Sequence, residues 1–205
     1  MNRHAMTKPR LIVSLCAALA LSACNPSPKG TATAMHGTDL AGAAIGGPFT
    51  LSDKDGKPVT WDQFKGQYRM VYFGYTFCPD ACPMDVGVMM QGFNRFAKND
   101  PAAAAKVQPI FITIDPARDT PARVGEFGAA FSPRLLGLTG TQDQVDGAVK
   151  AFKAVAQRGK DTPGGYLMDH SRMVYLMDPD GRPLAALPVD KGPEEVAADL
   201  ALLVK

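Results

Sequence analysis

Histidine is the scarcest chemistry-bearing residue in this 205-residue chain, with 3 copies, beside 4 cysteines and 1 tryptophan. Four cysteines in a chain of this length exclude a disulfide-stapled scaffold. A formal net charge of +2 leaves no basic excess of the kind nucleic acid requires. Long apolar runs are missing too. The longest near the start, LIVSLCAALA, is too short to favour a spanning helix, which takes ~20 residues.

That short run has a specific setting. It follows MNRHAMTKPR, with Arg3, Lys8 and Arg10, and precedes Leu21-Ser22-Ala23-Cys24. A basic start, a short apolar stretch and small residues before the cut describe a secretory signal. The position of the cysteine matches a bacterial lipobox. Residues 1–23 are expected to be cleaved, and Cys24 to carry lipid as the first residue of the mature chain. The protein would then sit in a bacterial cell envelope, periplasm-facing and lipid-anchored. Losing Arg3, Lys8 and Arg10 takes the net charge from +2 to about −1. Cys16 leaves with the signal, so Cys78 and Cys82 remain as the thiols.

Residues 24–40 (CNPSPKGTATAMHGTDL) are rich in Pro, Ser, Gly and Thr and read as a flexible tether, with residues 41–205 as the domain. Within the domain, FTLSDKDGKPVT flanks a DG turn and predicts a small N-terminal β-hairpin. RMVYFGY and VQPIFITI are continuous apolar runs, as in strands buried on both faces. Helices are expected from Pro83 to about Asn99, from Thr120-Pro121 to about Phe131, from Thr141 through Val155, and from Pro193. SRMVYLM and RPLAAL flank the turn DPDG and predict an antiparallel pair. This order gives an α/β fold: a thioredoxin-like sandwich with a central mixed sheet flanked by helices. It predicts a monomer that binds no nucleic acid.

The motif GYTFCPDACP falls where such a sheet places its chemistry, beyond the carboxyl end of a central strand. Cys78 and Cys82 close too small a loop to stabilise a fold much. Cys82 at a helix N-terminus is expected to have a lowered thiol pKa, with Asp80 acting in the opposite sense. Two chemistries fit a C-x-x-x-C pair: thiol–disulfide exchange and metal binding. With His4 in the signal and His36 in the tether, where it should be solvated, His170 is the candidate third ligand. Two thiolates and an imidazole suit Cu(I), or Cu(II) with a further weak ligand, better than Zn(II). Asp169 is a candidate to orient the His170 ring. Met84, Met89, Met90, Met168, Met173 and Met177 are expected to pack in the core, and Trp61 likewise.

GYTFCPDACP, TIDPARDTP (113–121), GLTG (137–140) and YLMDHSRMVYLMDPDG (166–181), in this order, resemble the Sco/SenC family of thioredoxin-fold copper proteins. The resemblance implies a copper chaperone for the binuclear copper site of cytochrome c oxidase, with one copper held by Cys78, Cys82 and His170. Its partners would be the copper-acceptor subunit of the oxidase or another copper chaperone. Asp115 and Asp119 would then support the site from behind or dock a partner. Their simpler reading is structural, with Asp119 capping the helix at Thr120-Pro121 and Asp115 fixing the turn before Pro116. The family often has an acidic or aromatic residue shortly before D-H-S, and here the segment is GGYLMDHS, so gating near His170 is expected to differ in detail. The competing class is a thiol–disulfide oxidoreductase that reduces the acceptor's cysteines, in which Cys78 and Cys82 are the catalytic redox pair and His170 has no obligatory role. A redox or copper sensor also uses the same residues.

Overall fold

The two apolar runs become β4 (Tyr68–Gly74) and β5 (Val107–Thr113). Every residue of β4 is buried, and in β5 only Gln108 is not. Neither strand shows polar alternation because both of its faces are covered. Each large apolar side chain buried here contributes roughly 1.5–3 kcal/mol.

The computed structural model describes Met1 and residues 34–162 and 165–205. The expected signal and Cys24 lie outside the described residues. Two units divide the chain, Met1–Ala32 and Thr33–Lys205, and the fold below is that of the second.

In chain order the other elements are β1 (Thr38–Asp39), β2 (Thr50–Ser52), β3 (Pro58–Thr60), α1 (Ala81–Asn99), α2 (Pro101–Ala104), α3 (Pro121–Phe131), β6 (Leu136–Leu138), α4 (Gln142–Ala151), β7 (Ala156–Thr162), β8 (Gly165–His170), β9 (Val174–Met177), β10 (Pro183–Leu187) and α5 (Pro193–Leu203). The main sheet has the order β1-β10-β9-β4-β5-β6. β4, β5 and β6 are parallel, while β9, β10 and β1 join antiparallel. β2 and β3 form the expected hairpin, and Trp61–Phe64 follow as a single 3-10 turn behind Thr60. α1 buries Cys82, Val86, Met89, Met90, Phe93 and Phe96, one apolar face at helical spacing. It meets α5 at Gly92, where an added Cβ would lie 2.5 Å from Val196 Cγ1.

Three boundaries differ from the sequence reading. Helix α1 begins at Ala81 rather than Pro83. Proline is tolerated there because first-turn N–H groups have no helical partner in any case. Helix α4 ends at Ala151 rather than Val155, as Lys153 adopts a left-handed φ of 54° that turns the chain out of the helix. Finally, strand β1 lies within the expected tether. Thr38 and Asp39 pair with Ala186 and Ala185 of β10. The N–H groups of His36 and Gly37 donate to the buried carboxylate of Asp199 at 2.8 and 2.7 Å. Composition did not reveal this docking, because the contacts are made by backbone on a sheet edge.

β7 and β8 form a two-stranded arm separate from the main sheet. The sequence reading had no strand there. Among the described residues, no helix is long and apolar enough to cross a membrane.

Candidate metal centre

Strand β4 ends at Gly74, directly beside Thr113 at the end of β5. The chain then turns, with the Cys78 N–H donating to the Tyr75 carbonyl at 3.2 Å, and enters α1 behind Asp80. The Asp80 side chain makes no cap hydrogen bond. The free N–H of Cys82 donates instead to Cys78 Sγ at 3.3 Å, so the helix start places a backbone donor on a sulfur. Cys82 Sγ accepts from the Tyr75 N–H at 3.5 Å and is fully buried, while Cys78 is half-buried. Gly74 makes room for that sulfur. A Cβ at this position would lie 2.9 Å from Cys82 Sγ and 2.8 Å from the Tyr72 ring.

His170 ends β8 and points its Nε2 at Cys82 Sγ, 3.3 Å away. Its Nδ1 lies 2.9 Å from the Ser171 carbonyl. A carbonyl only accepts, so the neutral ring carries its proton on Nδ1 and turns the Nε2 lone pair toward the sulfur. Tyr72 and Tyr75 hold the ring edge-on, at centroid distances of 6.1 and 5.8 Å. One donor atom from each of Cys78, Cys82 and His170 lies within 4.8 Å of the others. Metal–ligand bonds of about 2.0–2.3 Å would hold three such atoms about 4 Å apart around a shared ion. The donor set therefore fits a small, soft cation with little movement.

At Cys82 the helix N-terminus argues for a lowered thiol pKa and Asp80 for a raised one, a balance the sequence leaves open. Burial pushes the thiol well up, and the nearby Cys78 sulfur adds to the shift, outweighing the N–H of Tyr75 and the hydroxyl of Tyr72. Burial likewise pushes the Tyr72 phenol up, with Cys82 and Asp85 reinforcing it. Behind the site, Tyr72 donates to Asp85 at 3.0 Å, and Arg172 grips both Asp85 oxygens at 2.9 and 2.6 Å. Asp85 sits one helical turn beyond Cys82 on the same buried face of α1, which is the sequence signal that could have found it.

Asp115 and Asp119 are buried, which removes them from any docking surface. Asp119 accepts from the Thr76 N–H and hydroxyl at 2.9 and 2.6 Å and from Thr113 Oγ1 at 2.6 Å. It pins the cysteine loop to the end of β5. The cap of α3 is Thr120, whose side chain accepts from the Arg123 N–H, and not Asp119. Asp115 pairs with Arg118 and accepts from the Tyr166 hydroxyl at 2.7 Å. Asp169 does not orient His170: strand alternation turns it to the exposed face of β8, and Ser171 holds Nδ1. His36 is exposed and outside the cluster. Met89, Met90, Met177 and Trp61 are core residues as expected, whereas Met84 is 63% exposed.

Together the fold and this Cys-Cys-His centre define a thioredoxin-like domain with a built site for a soft metal ion. Residues 37–205 match the SCO1/SenC family, and the chain belongs to it. The chain is 41% identical over 166 residues to protein SenC of Rhodobacter capsulatus, covering 81% of this chain and 73% of SenC. Against the mitochondrial protein SCO2 of Saccharomyces cerevisiae it is 41% identical over 146 residues, covering 70% of this chain and 48% of SCO2. The chain thus spans about half the length of that mitochondrial relative. Among solved structures, Bradyrhizobium japonicum ScoI with copper bound superposes with a TM-score of 0.69 at 40% identity, covering 77% of this chain and 98% of ScoI.

Proposed function

We propose that this chain is a membrane-tethered copper metallochaperone, with Cys78, Cys82 and His170 binding one copper ion as cargo for the binuclear copper site of cytochrome c oxidase. The observation that carries the reading is the convergence of those three donor atoms within 4.8 Å, with the imidazole lone pair already turned inward. The copper held by the related ScoI supports the identity of the ion. Binding displaces thiol protons, so uptake weakens as pH falls. Release follows oxidation of the pair. Two thiolates become the Cys78–Cys82 disulfide, a partner disulfide takes up the two electrons and becomes two thiolates, and both sulfur ligands are lost to the metal. Half-buried Cys78 gives such a partner an approach. Lipid on Cys24 keeps the domain at the periplasmic face of a bacterial membrane, near its acceptor.

The same half-exposed Cys78 favours the oxidoreductase as a second reading, in which His170 is dispensable. An anaerobic copper titration separates the two. Reduced, pre-oxidised and His170→Ala proteins are compared, with Zn(II) as competitor. One tight copper per reduced monomer, lost on oxidation and weakened in His170→Ala, is the expected result. No tight copper, with rapid exchange against a small disulfide in all reduced forms, would replace the chaperone by the oxidoreductase.

A further inference from the structure

We infer that Tyr166 is a positioning residue for the third ligand: it latches the β7–β8 arm to Asp115 and Arg118 and thereby sets where His170 stands. The inference rests on the proposed metal site only for its copper measurements. The arm's two legs are tied to each other at its base, where Ser171 N–H donates to the Val155 carbonyl at 3.2 Å and Val155 N–H to Ser171 Oγ at 2.7 Å. Its own ladder is broken between Arg158 and Asp161. Beyond that break the latch takes over. The Tyr166 hydroxyl donates to Asp115 Oδ1 at 2.7 Å, and the Tyr166 carbonyl accepts from Arg118 Nη1 at 2.8 Å. The Tyr166 ring lies between two guanidinium groups, with Arg118 at 3.6 Å and Arg158 at 4.1 Å from its centroid.

Position along the strand makes this contact matter. Tyr166, Met168 and His170 share the less exposed face of β8, while Gly165, Leu167 and Asp169 face solvent. The latch and the imidazole are therefore the two ends of one inward face, about 13 Å apart along a strand. Arg118 also lies 4.8 Å from the centre of the Phe77 ring, next to Cys78. Its Nη2 is buried with no hydrogen-bond partner among the described residues, so the cation is held by Asp115 at Nε, the Tyr166 carbonyl at Nη1 and the aromatic faces. One buried ion pair thus touches the neighbour of a sulfur ligand and the strand of the imidazole ligand.

The test uses the full-length chain, reduced, both metal-free and loaded with copper. Tyr166→Phe keeps the ring between the two guanidiniums and removes only the hydroxyl. Tyr68→Phe is the control, removing a hydroxyl that accepts from the Lys205 N–H away from the site. In metal-free protein, Tyr166→Phe should speed amide hydrogen exchange across 156–170 by about tenfold, the scale of one lost hydrogen bond, and leave β4 unchanged. The His170 imidazole ¹⁵N signals should move from a fixed Nδ1–H tautomer toward an exchanging pair. Copper(I) should leave to a chelator about tenfold faster, and the nitrogen hyperfine pattern of the Cu(II) form should weaken. Tyr68→Phe should change none of these. Unaltered exchange and imidazole signals in Tyr166→Phe would overturn the inference, as would faster exchange with His170 unmoved. If wild type takes up no copper, the metal reading falls, and the metal-free measurements still decide the latch.

Discussion

The centre draws its ligands from two unlike regions. The cysteine loop grows out of the best-buried strand of the sheet into a helix, and Cys82 is fully buried there. The arm carrying His170 is a two-stranded ribbon outside that sheet, with every second residue of β8 exposed. The Cys82 sulfur is therefore a fixture of the core, with the cooperative stability of the whole domain behind it. The imidazole is delivered by a separate element whose local stability is lower. A site built this way offers a metal ion three donors and can withdraw one of them without unfolding.

Substitutions at the ligands test that contrast most strongly. Cys82→Ser should remove tight copper binding altogether, a larger loss than the ~10–100-fold that removing an outer partner of a ligand costs. Copper(I) competition against a chelator reads it, and retained full affinity would sink the site. His170→Ala should weaken binding by about 10–100-fold and leave a two-sulfur complex detectable in the same assay. Asp119→Ala, on the core side, should cost about 2–4 kcal/mol in urea denaturation, since it strands the Thr76 N–H and two hydroxyls.

A pH effect follows from the burial of Cys82. Its thiol pKa is raised in the metal-free fold, so folding favours the neutral form. That stability is present below the unfolded thiol's value of about 8.5 and is lost as pH rises above it. Reduced, metal-free protein should lose stability between about pH 8 and 10 in urea melts, and Cys82→Ala should flatten the slope. The smallest effect belongs to Asp169→Asn. Copper affinity should stay within about twofold, as for an exposed charge. A clear loss would return Asp169 to the role of orienting His170.

The same contrast separates what was legible in the sequence from what was not. RMVYFGY and VQPIFITI announced themselves because a strand covered on both faces reads as a nearly continuous apolar run. The three residues that converge, Cys78, Cys82 and His170, were legible from the cysteine spacing and the scarcity of histidine. The arm was not. AQRGKDT is polar throughout, and its pairing with GYLMDH is broken by an irregularity, so no period marks a strand. The arm's partners are also distant in sequence: Tyr166 meets Asp115 across 51 residues, and Arg172 meets Asp85 across 87. Pairings of that kind need the sheet order first. The balance at Cys82 was not legible because a helix N-terminus can be read from Asp80 and Pro83, whereas burial, which decides the direction, cannot.

Gly74 ties the two halves of the cysteine motif in a further way. The Cys82 sulfur occupies the space that a side chain on residue 74 would take. The Tyr72 and Phe111 rings close the same space at 2.8 and 3.1 Å, so removing the thiol at 82 would not by itself admit a side chain at 74, and the sulfur's seat is fixed by the two rings as much as by the glycine.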